Sequence, residues 1–323
     1  MSQKRSHSPA RTPLALALLA GLAVAAPLAA QGVTVGFVHK LSDFTGTVPY
    51  NGGRVVVDPQ TDEIYVLASN QVRVFNSSGM ETFSFGHDPQ MGFVRDLAVD
   101  EMGDILVLSQ VPATESGPGF RVTRCNYRGV VKNPIEIEGL GSRLTAFRPD
   151  RMFHRQGRLY LVSRHSKLVV VVDAQTGLYE KEHDLADLLQ ISEEKLSATS
   201  IVGFSIDEAG NMLCTIPVLF RAFVISPDGT VASFGKPGST PGAFSVAVEI
   251  VGDGQGHYFV ADRGRSVVIV FDEQFQVISE FGFPGDAEDN LIRPSGLALG
   301  RGGRLYVTQM RNRGVSTYSV SFN

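Results

Sequence analysis

The sequence predicts an all-β fold built from six four-stranded antiparallel units, and three observations carry that expectation. A short signature recurs, in which an apolar strand leads through Asp-x-x-Gly, or a variant of it, into a second apolar strand. Its anchor positions, Asp58, Asp100, His154, Asp207, Asp253 and Gly300, lie 42, 54, 53, 46 and 47 residues apart. In most copies third and fourth β-rich runs follow, split by a second turn and closed by Phe85-Gly86, Phe234-Gly235 or Phe281-Gly282. A period of this length with four strands per copy is that of a β-propeller blade, which buries its faces only by stacking on neighbours in a ring.

Taken in order, the chain opens with a segment that stands outside the repeat. Lys4, Arg5 and Arg11 precede an uncharged apolar run from Leu14 to Ala26, and Ala29-Ala30 supplies small residues for cleavage, so residues 1–30 are expected to be an export signal. Residues 31–323 are expected to form a single domain, periplasmic or extracellular, with no membrane insertion once the signal is cleaved. The leader holds three of the 29 basic residues and none of the 33 acidic ones, which leaves a mature net charge of about −7. An acidic chain of this kind is a poor general binder of nucleic acid.

The first complete unit reads VVVDPQTDEIYVLA from Val55 and continues VRVF-NSSG-METFSFG. LAVDEMGDILVLS from Leu97, MFHRQGRLYLVS from Met152 and FSIDEAGNMLCTI from Phe204 open the next three. The clearest copy runs from Ile250 to Gly285, where Val, Ile, Phe and Tyr fill the runs and Gly and Asp fill the gaps, as strands joined by tight turns require. The sixth unit begins LALGRGGRLYVTQ at Leu297, but the chain stops after a third strand, Gly314 to Val320. Its fourth strand has to come from elsewhere. Val33 to Lys40, VTVGFVHK, lies before the first complete unit and is expected to pair there and close the ring, since an open ring would leave bare strand edges.

Two insertions interrupt the pattern. Pro112 to Gly119 lengthens a loop between the second and third strands of blade two, and Asp184 to Leu196 has apolar residues at 185, 188, 189, 191 and 196, consistent with a short amphipathic helix between blades three and four.

The repeat resembles the NHL repeat, and the chain is similar to six-bladed NHL-type propellers over essentially all of its mature length. The residues that carry the resemblance are Arg293-Pro294-Ser295-Gly296-Leu297-Ala298-Leu299 with Leu305-Tyr306-Val307, and Tyr258-Phe259-Val260-Ala261-Asp262 with Val268-Ile269-Val270-Phe271. In the other four units the Asp that should end the second strand is Ala68, Ser109, Ser163 or Ile216. The resemblance speaks for fold; propellers host unrelated activities. Some NHL relatives are amidating lyases that hold zinc with histidines, and calcium-dependent lactonases are propellers as well.

Antiparallel strand order puts the fourth-to-first and second-to-third loops on one face. Arg54, Arg95, Arg148, Arg151 and Arg293 belong to one loop set and Arg164, Arg221, Arg263, Arg265, Arg311 and Arg313 to the other. Guanidinium groups suit carboxylates and phosphates through forked hydrogen bonds, so Arg54, Arg95, Arg151, Arg164, Arg263, Arg265, Arg293 and Arg311 are candidate contacts for a protein, a peptide or a small anionic ligand. Solvated loop residues paired with local acids would give the same list.

Nearest the central channel should stand Arg54, Asp96, Asp150, Gly203, Glu249 and Gly296. Asp96, Asp150 and Glu249 could hold a hard cation such as calcium, or could make ion pairs around a water-filled funnel. No cofactor is expected beyond that calcium. Of the histidines, only His87 and His165 fall on the arginine-rich face, too few for a three-histidine zinc site. Gly-x-Ser-x-Gly, a phosphate-binding Gly-rich loop and Cys-x-x-Cys are all missing. Cys125 and Cys214 belong to blades that are not neighbours and are expected to remain unbridged and inert. The leading expectation is a binding scaffold; a metal-dependent hydrolase or lyase at the channel mouth is the alternative.

Overall fold

A computed structural model describes residues 32–86, 88–89, 91–112 and 119–322. The expected signal, His87 and most of the Pro112–Gly119 insertion lie outside them. Within the described residues, the recurring apolar runs form six four-stranded antiparallel sheets arranged as the blades of a propeller. Blade one is Arg54–Val57, Ile64–Ala68, Gln71–Phe75 and Glu81–Gly86, and blade five is Ala247–Gly252, Tyr258–Asp262, Val267–Phe271 and Val277–Phe281. Second and third strands are buried almost throughout, as VVIVF at Val267–Phe271 shows, whereas fourth strands such as Glu81–Gly86 alternate because one face meets water.

The ring closes as the missing strand required. Pro294–Leu299, Arg304–Gln309 and Val315–Phe322 supply three strands of blade six, and Val33–Lys40 supplies the outermost, in antiparallel register from Val33 opposite Phe322 to Lys40 opposite Ser316. The core is not one mass but six apolar clusters, one between each pair of adjacent blades. Tyr65, Leu97 and Val107 lie between blades one and two, and Ile64, Val66 and Tyr306 between blades six and one. Between blades four and five, Phe234 packs on Phe271 with ring centroids 4.6 Å apart and on Phe275 at 4.7 Å. Aromatic pairs of this kind add about 0.5–1.5 kcal/mol each beyond the area they bury.

The Phe-Gly exit from the fourth strands of blades one, four and five has a steric reason, seen at Gly235. Gly235 holds φ +100°, and a Cβ there would come within 2.3 Å of the Phe244 ring and 2.8 Å of the Phe220 carbonyl. Gly235→Ala is therefore expected to cost about 2–4 kcal/mol, from backbone strain and displacement of a core ring, read as a lower urea midpoint at constant slope.

The insertion between blades three and four differs from the single helix expected. It forms two one-turn helices, Leu185–Leu188 and Glu193–Leu196, because Gln190 takes φ +53° and breaks the run between them. Asp184 caps the first by accepting from the amides of Ala186 at 3.0 Å and Asp187 at 3.3 Å. Leu185, with Leu188, Leu189 and Ile191, seals the cluster between blades three and four. A two-stranded hairpin, Ser42–Asp43 with Gly46–Thr47, follows the closing strand and was not expected.

Candidate functional site

Six equivalent positions on the innermost strands form a ring at one end of the central channel. Strand pairing assigns them as Arg54, Asp96, Arg151, Gly203, Glu249 and Gly296, opposite Leu67, Leu108, Val162, Thr215, Ala261 and Thr308 in the neighbouring strands. In blades two, five and six a register shift falls immediately before the ring position, so a bulge aims Asp96, Glu249 and Gly296. The ring differs from the expected one in blade three. Asp150 lies one residue too early, and Arg151 takes its place.

Each of the three carboxylates already has a structural task. Asp96 is fully buried; it accepts from Arg54 Nε at 3.1 Å, from the Leu97 amide at 2.9 Å and from the Met152 amide of the next blade at 2.9 Å. Asp150 is clamped by Arg164, whose Nε and Nη2 lie 2.7 and 2.6 Å from Asp150 Oδ2. Glu249 accepts from the Phe204 amide of blade four at 3.1 Å. Among the described residues no three His, Cys, Asp or Glu side chains are grouped so that they could hold a metal ion. The glycines are the close-approach points: a Cβ on Gly203 would lie 2.6 Å from Glu249 Cα.

Burial pushes the Glu249 carboxyl above its ordinary value of 4.5, against the pull of Arg54, Arg151 and Arg164. The folded chain thus keeps this proton to higher pH than the unfolded chain does. The associated stability is complete below about pH 4.5 and is lost as the pH rises through the folded-state value. Glu249→Gln, which keeps an acceptor for Phe204, is expected to flatten that decline when urea midpoints are compared from pH 4 to pH 8.

The candidate arginines divide into three groups. Arg54 and Arg151 belong to the ring, and Arg151 Nε is buried without a partner. Arg164 and Arg265 are spent on acids, Arg265 through a fork to Glu280 at 2.8 and 2.6 Å. Arg95, Arg263, Arg293 and Arg311 have no carboxylate partner among the described residues; Arg95 stacks over the Phe93 ring at 5.0 Å.

Two of that last group, Arg263 and Arg293, are brought together by hydrogen-bond ties between blades five and six, while the Arg311 amide donates to Asn51 Oδ1 at 2.8 Å. Asp262, the Asp that ends the second strand of blade five, is fully buried and accepts from the amides of Ser245, Val246 and Arg265 at 2.6, 3.1 and 2.9 Å. That clamp fixes the turn carrying Arg263, whose own amide donates to the Val246 carbonyl at 2.9 Å. The Arg293 amide reaches across to Ser266 Oγ at 3.2 Å, and Met310, beside Arg311, donates to the Ile292 carbonyl at 3.1 Å. Arg263 Nε is buried and unpartnered, and burial followed by the adjacent Arg293 charge lowers the Arg263 pKa from its ordinary value. Val218, Leu219, Val246 and Phe283 are exposed on the same loop sets.

A second feature had gone unread in the sequence. A cavity of about 540 Å³ runs along the axis from Arg54 to the opposite face, where it opens among the turns between first and second strands. Phe153, Arg155, Glu208, Asp253, Gln255 and Arg301 line it. The available signal was the anchor turn itself. Asp58, Asp100, Asp207 and Asp253 each fold their carboxylate back onto the turn amides, but blade three replaces that turn with the two positive-φ residues Gln156 and Gly157.

Described histidines are dispersed. His165 is exposed, His154 is buried with Nε2 3.3 Å from Glu101, and His257 lies 2.6 Å from Asp253 and stacks on Phe322 at 3.6 Å. Cys125 and Cys214 are free and buried, as expected, and burial pushes their thiols up to about 11 and about 12.

Solved structures share this architecture. A protein of unknown function from Bacteroides thetaiotaomicron aligns with a TM-score of 0.63 at 12% identity, covering 90% of this chain and 76% of that one. The likeness is one of fold. An auxiliary nutrient binding protein from Bacteroides ovatus gives 0.54 at 14% identity over 90% and 77% of the two chains. Virginiamycin B lyase from Staphylococcus aureus gives 0.52 at 12% identity over 89% and 99%. No family model and no curated protein matches the chain.

Proposed function

We propose that this is an exported propeller of the NHL type that acts as a binding scaffold, not a catalyst, and takes an acidic segment of a protein or peptide on its arginine-rich loop face. One observation carries the reading: Arg263 and Arg293 are close enough between blades five and six for one charge to act on the other, with no carboxylate partner among the described residues, and Arg263 Nε is buried and unpartnered there. Holding like charges together is unfavourable unless an anion joins them, and a guanidinium pair presents the forked donors a carboxylate accepts. Exposed Val246 and Phe283 flank the pair, and arginine beside exposed aromatic and aliphatic surface is the composition of interface cores. Export rests on the basic, apolar and small-residue segments of the first thirty residues. The neighbouring folds include both a lyase and a binding protein, so the choice rests on this chain's side chains.

Arg263→Glu with Arg293→Glu is expected to weaken binding of a fluorescent glutamate-rich peptide by roughly 100-fold, about 2.7 kcal/mol, at an unchanged melting temperature. Equal binding by the wild type and the double variant sinks the reading. Arg54 and Arg151 are unsuitable probes, because reversing either charge breaks the ring before it reports on a ligand.

A further inference from the structure

We propose that the axial cavity is a second binding site, separate from the loop face, for a small amphipathic monocarboxylate with an apolar body. Volume comes first: about 540 Å³ falls within the roughly 300–1,000 Å³ of pockets that enclose small molecules. The wall is apolar along most of its depth, through Val57, Leu97, Val99, Ile206, Val251 and Leu299. At the inner end Arg54 crosses from blade one to lie 5.1 Å over the Phe153 ring. Among the described residues only its Nε is engaged, by Asp96, so its two terminal nitrogens remain as donors at the inner end of an apolar well.

Arg54 selects the sign of the guest at that inner end. It is the guanidinium that the cavity reaches there, and its terminal nitrogens offer the forked donors that a carboxylate accepts, in an apolar surround that strengthens a charge-assisted hydrogen bond. The mouth works differently. Arg155 donates to the carbonyls of His154 at 2.8 Å and Ile206 at 3.0 Å, tying blade three to blade four and holding the rim in shape, while its own Nε stays buried without a partner. A ligand that enters past this rim meets apolar wall first and a guanidinium last, which fits a molecule with one acidic end.

Titration calorimetry on the mature protein tests this with two matched pairs, decanoate against decanol and 2-naphthoate against 2-naphthol. At least one acid is expected to bind one per chain and at least tenfold more tightly than its neutral partner. Arg54→Gln should erase that preference, Arg54→Lys should restore part of it, and Leu299→Trp should abolish binding by filling the well. The Arg263→Glu, Arg293→Glu protein should bind the acid as the wild type does, which separates this site from the loop face. Failure of both acids to bind, equal affinity for acid and alcohol, or full binding by Leu299→Trp would overturn the proposal.

Discussion

A chain that starts at Leu41 is expected to lose its cooperative unfolding transition. The deleted strand, Val33–Lys40, is the outer edge of blade six, and it also covers that blade's apolar face with Val33, Val35 and Phe37. Phe37 sits edge-on to Tyr318 at 5.9 Å, and Tyr318 in turn packs on Phe281 of blade five at 4.8 Å. Losing several backbone hydrogen bonds at about 0.5–1.5 kcal/mol each and the partial burial of three large side chains amounts to about 10 kcal/mol, comparable with the whole stability of a typical domain. Thermal scans by near-ultraviolet circular dichroism should show a broad, weak change in place of a sharp one, and a synthetic peptide of the deleted strand should restore the transition when added in excess. A truncated protein that melts sharply within a few degrees of the intact one would show that the blade holds without its closing strand.

The second large effect is expected at Asp96→Ala. This carboxylate is fully buried and joins three blades, through Arg54 of blade one, its own blade two and the Met152 amide of blade three. Alanine would strand the Arg54 charge and two buried amides together, and breaking a buried ion pair from one side costs about 3–5 kcal/mol. For a domain of this size that corresponds to a drop of roughly 10 °C in melting temperature. Arg54→Leu combined with Asp96→Leu should cost less than the two single changes added together, because neither partner is then left unpaired. Additive losses would mean that the two side chains act independently.

Much of the architecture was legible because a propeller writes itself as a period. The anchor turns locate every blade, and the lack of a fourth run after Val320 points to Val33–Lys40 as its replacement. What misled was single-residue register. The ring position of blade three was assigned to Asp150, whereas pairing of Arg151 with Val162 gives it to the arginine. Bulges in other blades shift the count by one, and no local sequence pattern marks them. The Asp184–Leu196 insertion was legible in its apolar positions, but the break at Gln190 is a backbone choice that many residues tolerate. The cavity was missed for a different reason. Its polar residues, Arg155 at a strand end and Glu208 and Gln255 in turns, belong to stretches that serve only as landmarks of the repeat, and their meeting across the axis depends on blades distant in sequence.

The ring of charges at Arg54, Asp96, Arg151 and Glu249 stands between the axial cavity and the arginine-rich loops. The cavity opens among the first-to-second-strand turns, so the residence time of the guest proposed for it would depend on the rim between Arg155, Gln255 and Arg301. Two guests could be carried at once without touching, and any conversation between them would have to pass through the rigid hydrogen bonds that Asp96 and Glu249 make to neighbouring blades.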